Sequence, residues 1–182
     1  MSNYKKQISN ILLGNKIKNI EFSRGLGIIP SKFIIQFVNP CEYCLEIESN
    51  FRIISNERII CCFEDLYLTK NKKLITEQKF SRQKHIESTF LSSSLDKANI
   101  ICSGKKIINC DITSFGDLYI YLENQSFIHA INDNQYIDSI IFRVVDTKNK
   151  KTIQCENGKE YQIDNIKFEI KTKNGKVHLI KF

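Results

Sequence analysis

The residues with the clearest chemical potential are Cys41 and Cys44, a C-x-x-C pair within "PCEYC" at 40–44, in a chain of 182 residues with seven cysteines. Such a pair is half of a zinc site, a redox couple or simply a turn. A structural zinc site draws on a second short-spaced pair. The nearest candidates, Cys61 and Cys62, are adjacent, so on a strand their thiols point to opposite faces, and His85 would join them only through the tertiary fold. A redox pair belongs at a helix N-terminus, where the thiol pKa falls, but here it runs into the strand-like "LEIES". Neither a metal nor a cofactor is expected. The three histidines, His85, His129 and His178, are far apart and adjoin no G-x-S-x-G, H-E-x-x-H or P-loop pattern. Glu64 with Asp65, and Asp111 with Asp117, are the carboxylate pairs on which acid–base or metal-assisted chemistry would draw.

Charge offers a second kind of chemistry. The net charge is +7, and the stretch Thr69 to Lys84, "TKNKKLITEQKFSRQK", holds six Lys or Arg against one Glu. Lys70, Lys72, Lys73, Lys79, Arg82 and Lys84 form a patch for nucleic acid, anionic lipid or an acidic protein, unless they are only a solvated turn. Nucleic-acid binding also wants stacking aromatics. Tyr67 and Phe80 flank the cluster, and Tyr119 and Tyr121 lie on the less apolar face of a strand.

The elements that position these residues come from an internal repeat. "GNKIKNIEF" from Gly14 matches "GKKIINCDI" from Gly104, with Glu21 answered by Asp111. Downstream, "KFIIQFVN" matches "DLYIYLEN" in alternation, so Phe33, Ile35 and Phe37 correspond to Leu118, Ile120 and Leu122. "FRII" from Phe51 then matches "FRVV" from Phe142. Period-2 apolar faces make each copy a meander of short strands. A short helix precedes each, with Tyr4, Ile8, Ile11 and Leu12 on one stripe of the first and, in "HIESTFLSSSLDKAN", Ile86 and Phe90, then Leu91, Leu95 and Ala98, at helical spacing in the second. Between the copies, "RIICCFEDLYLTKNKKLITEQKF" reads as two or three strands with a hairpin around Asn71. Near the C-terminus, Asn174-Gly175 supplies the turn of a hairpin. Aligned on Asn39 and Asn124, "PCEYC" is a hairpin connection two residues longer than its counterpart, which makes Cys41, Glu42 and Tyr43 a surface turn able to touch a partner.

The order of a Gly-Lys-Ile strand, "GDLYIYLEN", an apolar strand and "QYIDSIIFRVV" resembles small duplicated β-rich bacterial proteins of uncharacterised function, some of them immunity proteins found beside polymorphic toxins. Gly116, Asp117 and Leu118 carry the resemblance, and Tyr136, Asp138 and Ser139 extend it. The aromatic that follows in those proteins is Ile140 here. The resemblance covers mainly 104–146, with a faded copy at 14–54. It implies a non-catalytic protein that works by binding another protein. A positive charge is unusual for an inhibitor of nuclease toxins, which more often complements a basic target.

The expected fold is mainly β (α+β): a duplicated antiparallel meander forming one pseudo-symmetric sheet or barrel-like domain with one or two short helices. A single domain over 1–182 is expected, with repeat 1 at about 4–55, connecting strands and a helix at 56–103, repeat 2 at about 104–146 and a C-terminal hairpin at 151–182. A domain of this length buries roughly 70% of its unfolded surface, enough to need no staple. No apolar run reaches the length of a membrane span, and the odd number of cysteines, two of them adjacent, argues against a disulfide framework. A cytosolic protein-interaction module of immunity or defence type is expected. A basic nucleic-acid-binding β module is the alternative, and an enzyme with an acidic site comes third.

Overall fold

The computed structural model describes residues 2–23, 32–38, 41–75, 89–132, 139–154, 160–173 and 176–182. Along the chain run α1 (Ser2–Leu12), β1 (Ile17–Ser23), β2 (Lys32–Phe37), β3 (Tyr43–Ile47), β4 (Asn50–Ser55), β5 (Arg58–Cys62), a 3-10 turn (Phe63–Tyr67), α2 (Phe90–Cys102), β6 (Ile107–Ile112), β7 (Leu118–Leu122), β8 (Phe127–Ile131), β9 (Ser139–Gln154), β10 (Glu160–Lys173) and β11 (Lys176–Lys181). The protein is mainly β and antiparallel, as its alternation requires, with two helices among the described residues. Its strands form two sheets rather than one, and they do not close into a barrel: β1-β2-β3-β9-β10-β11 and β5-β4-β8-β7-β6. "FEDLY" is the 3-10 turn and not a strand, because the Asp65 carboxylate accepts the Cys62 N–H at 3.1 Å and folds the chain back. Leu68 and Leu74 then pair across a turn with Lys72 at φ 59°, close to the hairpin expected around Asn71. The flanks of Asn174-Gly175 pair as β10 and β11, while the two residues themselves lie outside the described set.

The two copies are intertwined. Each sheet takes a three-strand meander from one copy and a hairpin from the other. β1-β2-β3 pairs with β9-β10, which β11 extends at the edge, and β6-β7-β8 pairs with β4-β5. The chain changes sheets between β3 and β4 and again between β8 and β9. The registers agree: Ile47 opposes Phe142 and Leu45 opposes Val144, just as Ala130 opposes Phe51 and Ile128 opposes Ile53. Both meanders carry a bulge at the same point, between Ile17 and Asn19 in one and between Ile107 and Asn109 in the other.

A pseudo-two-fold axis relates the halves at an antiparallel bridge between Lys16 and Lys106. Gly14 donates to the Ile107 carbonyl at 3.0 Å and Gly104 to the Ile17 carbonyl at 2.8 Å. Both glycines have positive φ, 83° and 76°, which lets each helix stop and turn into its strand. The helices close the edge strands of the opposite copy. Asn99 of α2 donates to the Ile20 carbonyl at 2.9 Å and accepts the Ile20 N–H at 2.7 Å. At the equivalent place Ser9 of α1 donates to the Cys110 carbonyl at 3.2 Å, and Lys5 reaches the carbonyls of Ile112 and Thr113. Backbone groups that would otherwise invite another strand are thereby occupied.

The apolar faces meet in one continuous core. Ile8 and Leu12 from α1, Leu91, Ala98 and Cys102 from α2, and Phe33, Phe51, Phe142 and Phe168 from the two sheets are all buried in it. Removing any of these aromatics would cost about 3–5 kcal/mol.

Candidate functional site

Residues directly opposed on neighbouring strands share a face of the sheet, so the pairing register defines rows. On the outer face of the six-stranded sheet one row reads Glu21, Ile34, Glu46, Arg143, Glu169. The equivalent row of the five-stranded sheet reads Asp111, Tyr119, His129, Arg52, Cys62. The arginine is kept in both rows, while its surroundings are exchanged.

In the six-stranded sheet the row is a closed ionic network. Arg143 donates to Glu169 at 2.9 Å and also to Glu48, Lys32 pairs with Glu46, and Lys171 stands 3.3 Å from Glu169. All three glutamate side chains are only 6% exposed. Burial pushes the Glu48 carboxyl above its ordinary range, and Arg143 pulls it back in part. Glu46, Glu48 and Glu169 each have a cation beside them, while Glu21 at the edge accepts from the side-chain amides of Asn19 and Gln36.

In the five-stranded sheet the same face is open. Tyr119 stacks on His129 with ring centroids 4.1 Å apart and planes within 16°. Tyr121 lies nearly parallel to Tyr119 at 6.3 Å and tilts against Phe127 at 5.8 Å. Cross-strand rings stacked in this way stand upright, edges outward, with ring faces spent on each other. Burial holds the His129 imidazole below its ordinary pKa, and nearby Arg52 lowers it further against the opposing pull of Asp117. Its Nε2 is sheltered and has no hydrogen-bond partner among the described residues. Among the described residues Arg52 pairs with Glu64 alone, at 3.7 Å, and both side chains are well exposed. Two residues along the strands, on the same face, Phe127 and Ile54 are half-buried and Tyr121 is exposed, whereas Cys44 and Val145, the counterparts of Phe127 and Ile54, are buried and Gln36, that of Tyr121, is half-buried.

The residues singled out from sequence fall into separate places. Lys70, Lys72 and Lys73 are exposed on the turn after β5, where Thr69 Oγ1 accepts the Lys73 N–H at 3.1 Å and Lys72 lies over the Phe90 ring at 5.0 Å. Lys79, Arg82 and Lys84 lie outside the described residues, as does His85. Cys41, Glu42 and Tyr43 lead into β3 of the other sheet. Glu42 accepts at its carbonyl from the Thr147 N–H at 2.7 Å, and its carboxylate pairs with Lys148, so this connection is tied to β9. Cys41 and Tyr43 line a pocket of about 370 Å³ with Lys18, Gln36, Glu46 and Thr147. Burial pushes the Cys41 thiol up, away from the thiolate that metal or redox chemistry requires.

Of the carboxylate pairs, Glu64 and Asp65 are divided, whereas Asp117 and Asp111 both lie close enough to Tyr119 to add to the rise that burial gives its phenol pKa. Glu64 faces Arg52 while Asp65 caps the 3-10 turn, and Asp117 is held by the Thr113 hydroxyl and the Asn132 N–H. Among the described residues no three His, Cys, Asp or Glu side chains converge in a way that could hold a metal, and no helix is long and apolar enough to cross a membrane. Tyr119 and Tyr121 were legible as the polar face of a strand, but Arg52, Phe127 and the position of His129 beside them were not. The one available signal for Arg52 was its identity with Arg143 in "FRII" and "FRVV". No protein-family model matches the chain, and no curated protein or solved structure matches it either.

Proposed function

We propose that the chain is a non-catalytic cytosolic protein-interaction module, in the manner of the immunity proteins it resembles, and that the open face of the five-stranded sheet binds its partner. The observation that carries this is the contrast at symmetry-equivalent positions: one face is closed by buried ion pairs, while the other leaves Tyr121 exposed and Tyr119, Phe127, Ile54 and Arg52 half-buried. Tyrosine and arginine set among apolar side chains are the residues that dominate protein interfaces.

Nucleic-acid binding is the second reading, favoured by the +7 charge and by the exposed Lys70, Lys72 and Lys73. The ring geometry favours protein. A base inserted between two rings needs roughly 7 Å, twice the contact distance of about 3.5 Å, whereas Tyr119 stands 4.1 Å from His129 and 6.3 Å from Tyr121. Affinity capture with nuclease-treated lysate tests the proposal, using the native chain beside Tyr121→Ala/Phe127→Ala. A stoichiometric protein retained by the native chain and lost by the double variant is expected. Recovery of nucleic acid that depends on the lysines and weakens steeply with salt would favour the second reading.

A further inference from the structure

The pseudo-two-fold axis lets one half of the molecule report what the other half lacks. Arg143 sits between two carboxylates, Glu169 on the neighbouring strand and Glu48, with Glu46 on its other side. The strand positions that flank Arg52 carry Cys62 and His129 instead. Neither supplies an anion: the Cys62 thiol is pushed up to about 12, first by burial, and the imidazole is neutral or cationic. The acid that contacts Arg52, Glu64, does so at 3.7 Å, outside hydrogen-bond range, Asp65 is turned into the chain to cap it, and Asp111 stands at the far end of the row beyond Tyr119 and His129. The Arg52 side chain is 42% exposed where that of Arg143 is 20% exposed. A guanidinium has a fork of donors shaped for a carboxylate, and this fork is open beside a row of aromatic edges.

Resting on the reading of this face as a protein interface, we infer that Arg52 is a docking point for a carboxylate side chain of the partner, an aspartate or glutamate. The acid takes the place that Glu169 fills in the other sheet, and an apolar neighbour of that acid packs against Tyr121, Phe127 and Ile54. The basic charge of the chain suits an acidic partner. Glu64 holds the site loosely and is displaced on binding.

The symmetry also supplies the test. Cys62→Glu builds into the five-stranded sheet the carboxylate that Glu169 provides in the six-stranded one, occupying Arg52 from within. Short random peptides displayed on phage are selected on the folded full chain, and their affinity is then measured for the native chain, Cys62→Glu, Arg52→Gln, Glu64→Gln and Tyr121→Ala. The selected peptides are expected to be rich in Asp and Glu. They should bind Cys62→Glu and Arg52→Gln at least about tenfold more weakly and bind Glu64→Gln more tightly, a gain that a misfolded variant could not give. Peptides without acidic preference, no selectable peptide, or equal affinity for Cys62→Glu would overturn the inference. Acidic-independent peptides lost on Tyr121→Ala would still leave this face as the interface; indifference to every variant removes both.

Discussion

The two sheets are built on one plan and finished differently. In the six-stranded sheet Arg143 is matched by carboxylates that are almost wholly withdrawn from water; in the five-stranded sheet Arg52 is matched by one exposed acid at 3.7 Å. Desolvated charge has to be compensated within the fold, because each carboxylate left without its cation would cost several kcal/mol. Exposed charge is compensated by water and makes little difference to stability. The same residue at the same strand position is therefore structural in one copy and available in the other. Duplication permits this division of labour, since one copy keeps the fold closed while its twin is free to change.

The largest expected effect separates the two arginines. Arg143→Ala should lower unfolding free energy by about 3–5 kcal/mol, and Arg52→Ala by no more than about 1 kcal/mol, both measured by urea denaturation. Equal losses would break the comparison.

Glycines give the next contrast. A Cβ on Gly116 would stand 2.8 Å from Ile141 Cδ1 and 3.1 Å from Val177 Cγ1, where the five-stranded sheet meets the six-stranded one, and its φ is +92°. Gly116→Ala should cost about 2–4 kcal/mol, from overpacking added to left-handed strain. Gly104→Ala has nothing within 4 Å and should cost only the strain, about 1–2 kcal/mol.

The two edge clamps differ less. Asn99→Ala removes both bonds to Ile20 and should cost about 1–3 kcal/mol, while Ser9→Ala removes one and should cost about 1 kcal/mol. Faster amide exchange at Ile20 in the first variant would locate the effect.

Titration gives the smallest and most diagnostic contrast, because the signs are opposite. His129 has a folded pKa below its ordinary 6.5. The unfolded chain therefore binds the proton more readily, and its contribution, complete above pH 6.5, is lost as pH falls through the folded value. Glu48 has a folded pKa above 4.5, so its contribution is complete below that value and is lost as pH rises through the folded value. NMR titration should place the two midpoints on those sides, and Arg52→Gln should move the His129 midpoint upward.

Strand alternation made the β class, both helical stripes and the duplication legible, because periodicity records which face of each element is apolar. It does not record partners. Phe33, Ile35 and Phe37 are buried as their pattern requires, yet nothing in that pattern says that β3 pairs with β9 rather than with β4. The exchanged pairing thus became visible only in the fold. It also hid the site, since Arg52, His129 and Tyr119 come from β4, β8 and β7 and become neighbours across long stretches of chain. "FEDLY" misled for a different reason. Its apolar residues suit a strand, but Asp65 offers the backbone a competing local bond. "PCEYC" was legible as a longer connection between core strands, though not its attachment to Thr147 and Lys148.

The exchange of hairpins also sets a timetable for synthesis. β3 ends at Ile47 and its partner β9 begins at Ser139, so roughly 90 residues must be added before the first meander finds its neighbour. At about 5–20 residues per second that is about 5–20 s during which the strand edge of β3 has no partner from its own chain. The second meander, by contrast, emerges when β4 and β5 are already waiting. The five-stranded sheet is therefore the one that assembles first on the ribosome, and the face that remains open in the finished protein belongs to the half of the molecule that was complete earliest.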